Sequence, residues 1–397
     1  MNTADRLNQL GTENAFTVLS EVNVLKALGR DIISFAIGEP DFTTPENIKQ
    51  ACIQAIQDNH TQYGPSSGIL ALREVIANHV AKTRNIEVTP DEVVVTPGGK
   101  PIIYFTLHAL INPGDEVIFP NPGFPIYESV IRFVGGIPIP VPLLEEKDFR
   151  FDTEQLKTLI TPKTKLIILN SPQNPTGGTL TRKDLEQIAE IAIQNDLWVL
   201  SDEIYSRIIY SGEFLSISSL PGMKDRTIIL DGFSKTYAMT GWRLGYGIMN
   251  KQLALHISRL ETNCESCTNT FIQYGGIEAL TGPQESVAEM VHEFKLRRDL
   301  IVDGLNAIPG FSCKVPLGAF YVFPNVTEAC LRFGFDDSKA LQHYLLHTAG
   351  VATLPRTSFG EKNAAENQEY LRFSYATSRD TITKGLQRIT EALAARA

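Results

Sequence analysis

Asp231-Gly-Phe-Ser-Lys-Thr-Tyr-Ala-Met-Thr-Gly-Trp-Arg-Leu-Gly-Tyr-Gly247 sets one lysine, Lys235, among glycines and apolar residues, with Arg243 eight positions on. The run before it, Arg226-Thr-Ile-Ile-Leu230, is short, apolar and β-branched, which predicts a buried strand. Lys235 therefore falls in the turn leaving a strand end, where open α/β sheets bind ligands. A lone loop lysine is ordinarily solvated surface. Apolar surroundings and a nearby cation lower an ammonium pKa and turn the side chain into an amine nucleophile.

Outward from this stretch the same grammar repeats: an apolar strand, then polar residues or glycines at its carboxyl end. Glu92-Val-Val-Val-Thr96 runs into Pro97-Gly-Gly-Lys-Pro101 and a predicted helix over 102–110. Amide N–H groups of a glycine turn and the positive end of a helix make a phosphate cradle. Its spacing is neither G-x-x-x-x-G-K-[ST] nor G-x-G-x-x-G. Asp115-Glu-Val-Ile-Phe-Pro120 leads to Asn121-Pro-Gly-Phe-Pro-Ile-Tyr127, and Lys165-Leu-Ile-Ile-Leu169 to Asn170-Ser-Pro-Gln-Asn-Pro-Thr-Gly177. Leu197-Trp-Val-Leu200 leads to Ser201-Asp-Glu-Ile-Tyr205, leaving Asp202 at a strand's carboxyl end. Helical periodicity covers 45–59, 182–194, 285–306 and 382–394. The run from Asp31 to Phe42 reads as a strand broken at Gly38 and Pro40; Gly38 either ends it or lets the backbone approach a ligand. Strands are expected around a turn in 311–323, and short ones in 350–355 and 370–375, where Arg372 alternates with Leu371 and Phe373.

With 397 residues, 43% of them hydrophobic and 20% charged, the chain has the balance of a globular protein large enough for two domains. A net charge of -9 argues against a nucleic-acid or anionic-membrane surface. No apolar run reaches the roughly 18 residues of a membrane span, and the first residues do not resemble a secretory signal, so a cytoplasmic location is expected. Five cysteines suggest no disulfide framework. Cys264 and Cys267 form a C-x-x-C with no second pair at zinc spacing; no metal site is expected, and both read as ordinary thiols at a helix start.

Taken together, Asn-Pro-Thr-Gly at 174–177, Ser-Asp-Glu-Ile-Tyr at 201–205 and Ser-Lys-…-Gly-Trp-Arg at 234–243 resemble, in order and spacing, the class I/II aminotransferases. The resemblance extends from about Ile32 to Ser378. It implies the fold of type I pyridoxal 5'-phosphate (PLP) enzymes: an α/β large domain with a mostly parallel seven-stranded sheet between helices, and a smaller α+β domain. The expected division is an N-terminal arm with part of the small domain at 1–44, the large domain at 45–290, and the C-terminal small domain at 291–397.

In that family the lysine, here Lys235, forms an imine with PLP. The resemblance further implies that Asp202 pairs with the pyridine nitrogen, while Tyr205 and Asn174 hydrogen-bond the cofactor O3'. Gly98, Gly99, Lys100, Ser234 and Arg243 would serve the phosphate, Phe124 would stack on the ring, and Tyr63 would reach the phosphate of the other subunit of a homodimer. Arg372 and the Gly38 main chain would take the substrate carboxylate. Gly232 stands where some relatives carry a phosphate-binding serine, with Ser234 as the substitute. Lys100 sits where some bacterial aspartate aminotransferases meet the distal carboxylate; a lysine turned to solvent is the competing reading. The implied reaction is ping-pong transfer of an amino group from an L-amino acid, aspartate or glutamate being favoured, to a 2-oxo acid such as 2-oxoglutarate. Aromatic or alanine donors, and β-lyase or decarboxylase chemistry on the same fold, stay open.

Overall fold

The computed structural model describes residues 3–11, 13–364 and 366–396. Among the described residues nine strands precede the long helix Glu285–Asn306: β1 (Ile33–Ser34), β2 (Val93–Thr96), β3 (Glu116–Asn121), β4 (Ile137–Leu144), β5 (Arg150–Phe151), β6 (Thr164–Asn170), β7 (Trp198–Asp202), β8 (Thr227–Gly232) and β9 (Gly245–Ile248). All but β1 form one sheet in the order β2-β9-β8-β7-β6-β3-β4-β5. The pairs β8–β7, β7–β6, β6–β3 and β3–β4 are parallel; β9 runs antiparallel between β8 and β2, so β2 points the same way as the parallel set. Every residue of β2, β8 and β9 is buried. Successive residues serve opposite faces: Leu166 and Ile168 join one apolar cluster, Ile167 and Leu169 another. That two-sided burial is why the strands read as continuous apolar runs.

The sheet has eight strands, not seven. The eighth, β5, exists because Asp148 and Phe149 both adopt left-handed backbone, φ 54° and 55°, and fold the chain back on β4. No glycine marks that turn. Two helices match the sequence reading, Arg182–Gln194 and Glu285–Asn306. The first begins in a reciprocal cap between Thr181 and Asp184.

Beyond residue 306, β10 (Tyr321–Val322), β12 (Leu354–Pro355) and β13 (Leu371–Ser374) make a small antiparallel sheet in the order β10-β13-β12, and β11 (Val351–Ala352) pairs in parallel with β1. The stretch 311–323 contributes β10 and two isolated bridges, Ser312 to Asn325 and Gly318 to Ile209, because Ala319 at φ 57° breaks the extended path. The strand expected over 31–42 shortens to β1; past it the chain runs extended beside β13, Ser374 N–H donating to the Phe35 carbonyl at 2.8 Å. Cys264 closes the helix Lys251–Cys264 and Cys267 follows in the loop, a correction to the helix-start reading. Among the described residues no helix is long and apolar enough to cross a membrane.

Candidate active site

The parallel strands deliver their carboxyl ends to one edge of the sheet. There the loops after β2, β3, β6, β7 and β8, with the N-terminal segment and β13, enclose a cavity of about 470 Å³. Gly38, Gly99, Lys100, Phe124, Asn174, Asp202, Tyr205, Ser234, Lys235, Arg243 and Arg372 all line it. Two expected residues do not. Gly98 lies just behind the wall, and Tyr63 is 91% exposed, away from the cavity. A larger hollow of about 740 Å³ lies elsewhere, against helix Arg182–Gln194; the Arg84 in its wall is already committed to Glu203 and Asp231, each at 2.8 Å.

Lys235 projects into the cavity and donates from Nζ to the Gly38 carbonyl at 2.6 Å. Burial pulls its ammonium down to about 8; Glu39 opposes the shift, and Arg243 and Arg372 reinforce it. Asp202 lies at the end of β7. Its Oδ2 accepts from the Tyr127 hydroxyl at 2.6 Å and its Oδ1 from the Ile204 amide at 3.2 Å. Burial pushes this carboxyl up to about 6 despite those two donors. The Tyr205 and Tyr321 hydroxyls meet at 2.8 Å, and burial raises both phenols.

Arg372 is buried between the rings of Tyr321 and Phe359, its guanidinium carbon 4.6 and 4.9 Å from the two centroids. Nη1 donates to Asn174 Oδ1 at 2.9 Å and Nη2 to the Ala36 carbonyl. Nε is buried with no partner among the described residues. Such an orphaned charge-bearing donor is costly unless a ligand reaches it. Arg243 stands in left-handed backbone, φ 53° and ψ 59°, rare for a side chain that is neither Gly nor Asn. This geometry brings its guanidinium to the Pro97 and Thr240 carbonyls. Gly98, at φ 91°, makes room for it: a Cβ there would stand 2.2 Å from Arg243 Nη2. Gly38 is equally constrained, a Cβ falling 2.0 Å from the Tyr321 hydroxyl.

Lys100 occupies the first turn of helix Lys100–Leu110. Its ammonium is neither free toward the cavity nor simply solvated. It pairs with the Glu13 carboxylate and lies 5.7 Å from the Phe16 ring and 5.5 Å from the Phe124 ring. Glu13, Phe16, Tyr127 and Phe359 are site residues the sequence reading did not single out, and Tyr321 closes Gly318-Ala-Phe-Tyr321, a run that resembles a further motif of the family but to which no role was assigned. Tyr127 ends the run Asn121-Pro-Gly-Phe-Pro-Ile-Tyr127; Glu13 and Phe16 arrive from a segment with no signal.

The residues fit PLP. The cradle made by Gly98 and Gly99, Ser234, Arg243 and the start of helix Lys100–Leu110 suits a phosphate dianion. A buried carboxylate suits a ring nitrogen, and a depressed lysine suits an aldehyde carbon. The sequence matches the family described as "Aminotransferase class I and II" over residues 30–389. The chain is 39% identical to the aspartate aminotransferase of Bacillus sp. (strain YM-2), over 97% of each chain, and 38% identical to aromatic-amino-acid aminotransferase 2 of Thermococcus litoralis, over 91% of this chain and 92% of that one. Its structure superposes on the aspartate aminotransferase from Rhizobium meliloti with a TM-score of 0.94 at 33% identity, covering 100% of this chain and 99% of the other. The protein therefore belongs to the class I and II aminotransferases, and its activity is that of a PLP-dependent transaminase.

Proposed function

We propose that this cavity transfers the amino group of L-aspartate or L-glutamate to a 2-oxo acid such as 2-oxoglutarate. The observation that carries the reading is the convergence of a depressed lysine, a buried carboxylate and a half-satisfied arginine on one cavity. When bound, PLP supplies an aldehyde carbon and a ring that takes up the electron pair released at the substrate Cα. Lys235 holds the cofactor through its amine. With PLP bound, the free Lys235 amine would take the proton from the substrate Cα and deliver it to the former aldehyde carbon on the other side of the amino nitrogen, as an amine near pKa 8 is suited to do. Asp202, held by Tyr127, keeps a proton at the ring nitrogen. Arg372 receives the α-carboxylate, which satisfies its Nε. Asn174 presents its Oδ1 to Arg372, leaving its amide N–H groups for the cofactor. Relatives named for aspartate support the donor assignment.

The test is a half-reaction on holoenzyme. L-aspartate or L-glutamate should give one oxo acid per site and convert the cofactor to its amine form, and 2-oxoglutarate should restore it. Release of ammonia or carbon dioxide instead would point to lyase or decarboxylase chemistry and overturn the reading.

The working unit is proposed to be a cytoplasmic homodimer, in which the exposed Tyr63 serves the phosphate of the neighbouring site. Tyr63→Phe should weaken cofactor binding by about 10- to 100-fold, the worth of a hydrogen bond to a charged group. Hybrids of Tyr63→Phe with inactive Lys235→Ala contain one site with an intact lysine and an intact neighbouring tyrosine. That site should bind cofactor with wild-type affinity. Hybrids no better than the Tyr63→Phe parent would mean that Tyr63 does not serve the neighbouring site, and the shared-site reading would fail.

A further inference from the structure

The cations lining the cavity have distinct work. In the reading above, Lys235 holds the cofactor, Arg243 its phosphate and Arg372 the substrate α-carboxylate. Lys100 is the remaining cation among the described lining residues, and Glu13 already neutralises it. Glu13 is a built part of the pocket. Its charge is felt by Lys235, Arg372 and Tyr321, raising the first two and the phenol alike. It directly precedes the helix Asn14–Ala27, where a carboxylate ordinarily accepts from first-turn amides. It makes no such cap; the side chain reaches to Lys100. Phe16 and Phe124 flank the Lys100 ammonium, and Ile37 and Ile103 add apolar surface to the same cavity.

We propose that Glu13 is a specificity-determining residue, a displaceable stand-in for a substrate carboxylate at Lys100. Dicarboxylic amino acids displace it from the ammonium, whereas amino acids with uncharged apolar side chains leave the pair in place and pack against Phe16 and Phe124. The same cavity thereby takes both classes of donor. The displaced carboxylate has a second home at the N-terminal end of its own helix, whose dipole favours an anion. The inference rests on the transamination reading for its substrates, but the Glu13–Lys100 contact is independent of it.

The experiment uses holoenzyme of the wild type, Glu13→Gln, Glu13→Ala and Glu13→Gln/Lys100→Met. Two readouts are taken: half-reaction efficiency with L-aspartate and with L-phenylalanine, and dissociation constants of the unreactive probes succinate and 3-phenylpropionate. Wild type should convert both donors. Both single variants should raise the aspartate-to-phenylalanine ratio about tenfold or more and tighten succinate relative to 3-phenylpropionate, since a charge-assisted contact becomes available without competition. The double variant should abolish that gain. A ratio and a relative succinate affinity within about threefold of wild type in both single variants, a change no larger than a surface contact gives, overturn the proposal. Failure of wild type to convert phenylalanine overturns it as well. If no donor is converted while succinate still tightens in Glu13→Gln, the transamination reading falls and the counter-ion role of Glu13 stands.

Discussion

Lys235→Ala should fold, bind its amino donor and lose more than about 10⁴-fold in the rate of proton removal from the substrate Cα. Acid–base catalysis by one positioned group contributes about 10²–10⁴, and the lost amine also ends covalent capture of the cofactor. The fold should survive because the side chain contributes one hydrogen bond, from Nζ to the Gly38 carbonyl, while burial disfavours its charge. The same depression predicts a pH dependence in the wild type. Capture of PLP by apoenzyme needs the neutral amine, so its rate should rise as pH passes through about 8 and level off above, well below the 10.5 of an ordinary lysine. Borohydride reduction followed by peptide mapping should place the label on Lys235. A label on another lysine, or a capture rate still climbing beyond pH 10 or so, would sink the assignment.

What was legible in the chain is what local sequence controls. Asp202 ends a buried strand, Lys235, Asn174 and Gly99 each lie in the first residues after one, and once the strands are parallel their carboxyl ends must share an edge. The helix Arg182–Gln194 was equally readable, since its capping pair and apolar spacing lie within a few residues. The missed features depend on contacts distant in sequence. Glu13 meets Lys100 across 87 positions, and Tyr127 meets Asp202 across 75. Phe359 covers Arg372 because Arg356, fully buried, grips Glu366 and the Asn121 side chain and thereby fixes the loop that carries it. Nothing in Pro355-Arg-Thr-Ser-Phe359 announces that anchor. Strand β5 was missed for a related reason: two non-glycine residues take left-handed backbone, which turn propensities do not foresee.

Asp202→Asn should leave the cofactor bound and slow proton abstraction by about 10²–10⁴, the consequence of losing roughly 3–5 kcal/mol when one partner of a buried charge pair is removed. The substitution is nearly isosteric and the surroundings can accept it. The Ile204 amide needs an acceptor, which the Asn oxygen supplies, and the Tyr127 hydroxyl can rotate to accept from the new NH₂ group. Packing is thus kept while charge is lost. In the wild type burial, opposed by the Tyr127 and Ile204 donors, pushes the Asp202 carboxyl up to about 6, so near neutral pH it is mostly ionised, and a protonated ring nitrogen opposite it would lower it. A neutral amide cannot hold that proton, so the ring withdraws electrons from the substrate Cα less strongly. Affinity for the amino donor should change much less, because the α-carboxylate is held by Arg372, on the far strand β13, and by the Gly38 main chain. The measurement is a single-turnover half-reaction followed by cofactor absorbance, with donor affinity read from the concentration dependence. A wild-type rate in the variant would make Asp202 a structural carboxylate that anchors Tyr127. The ring nitrogen would then have to face another group, and with it the placement of the cofactor between Asp202 and Lys235 would be abandoned.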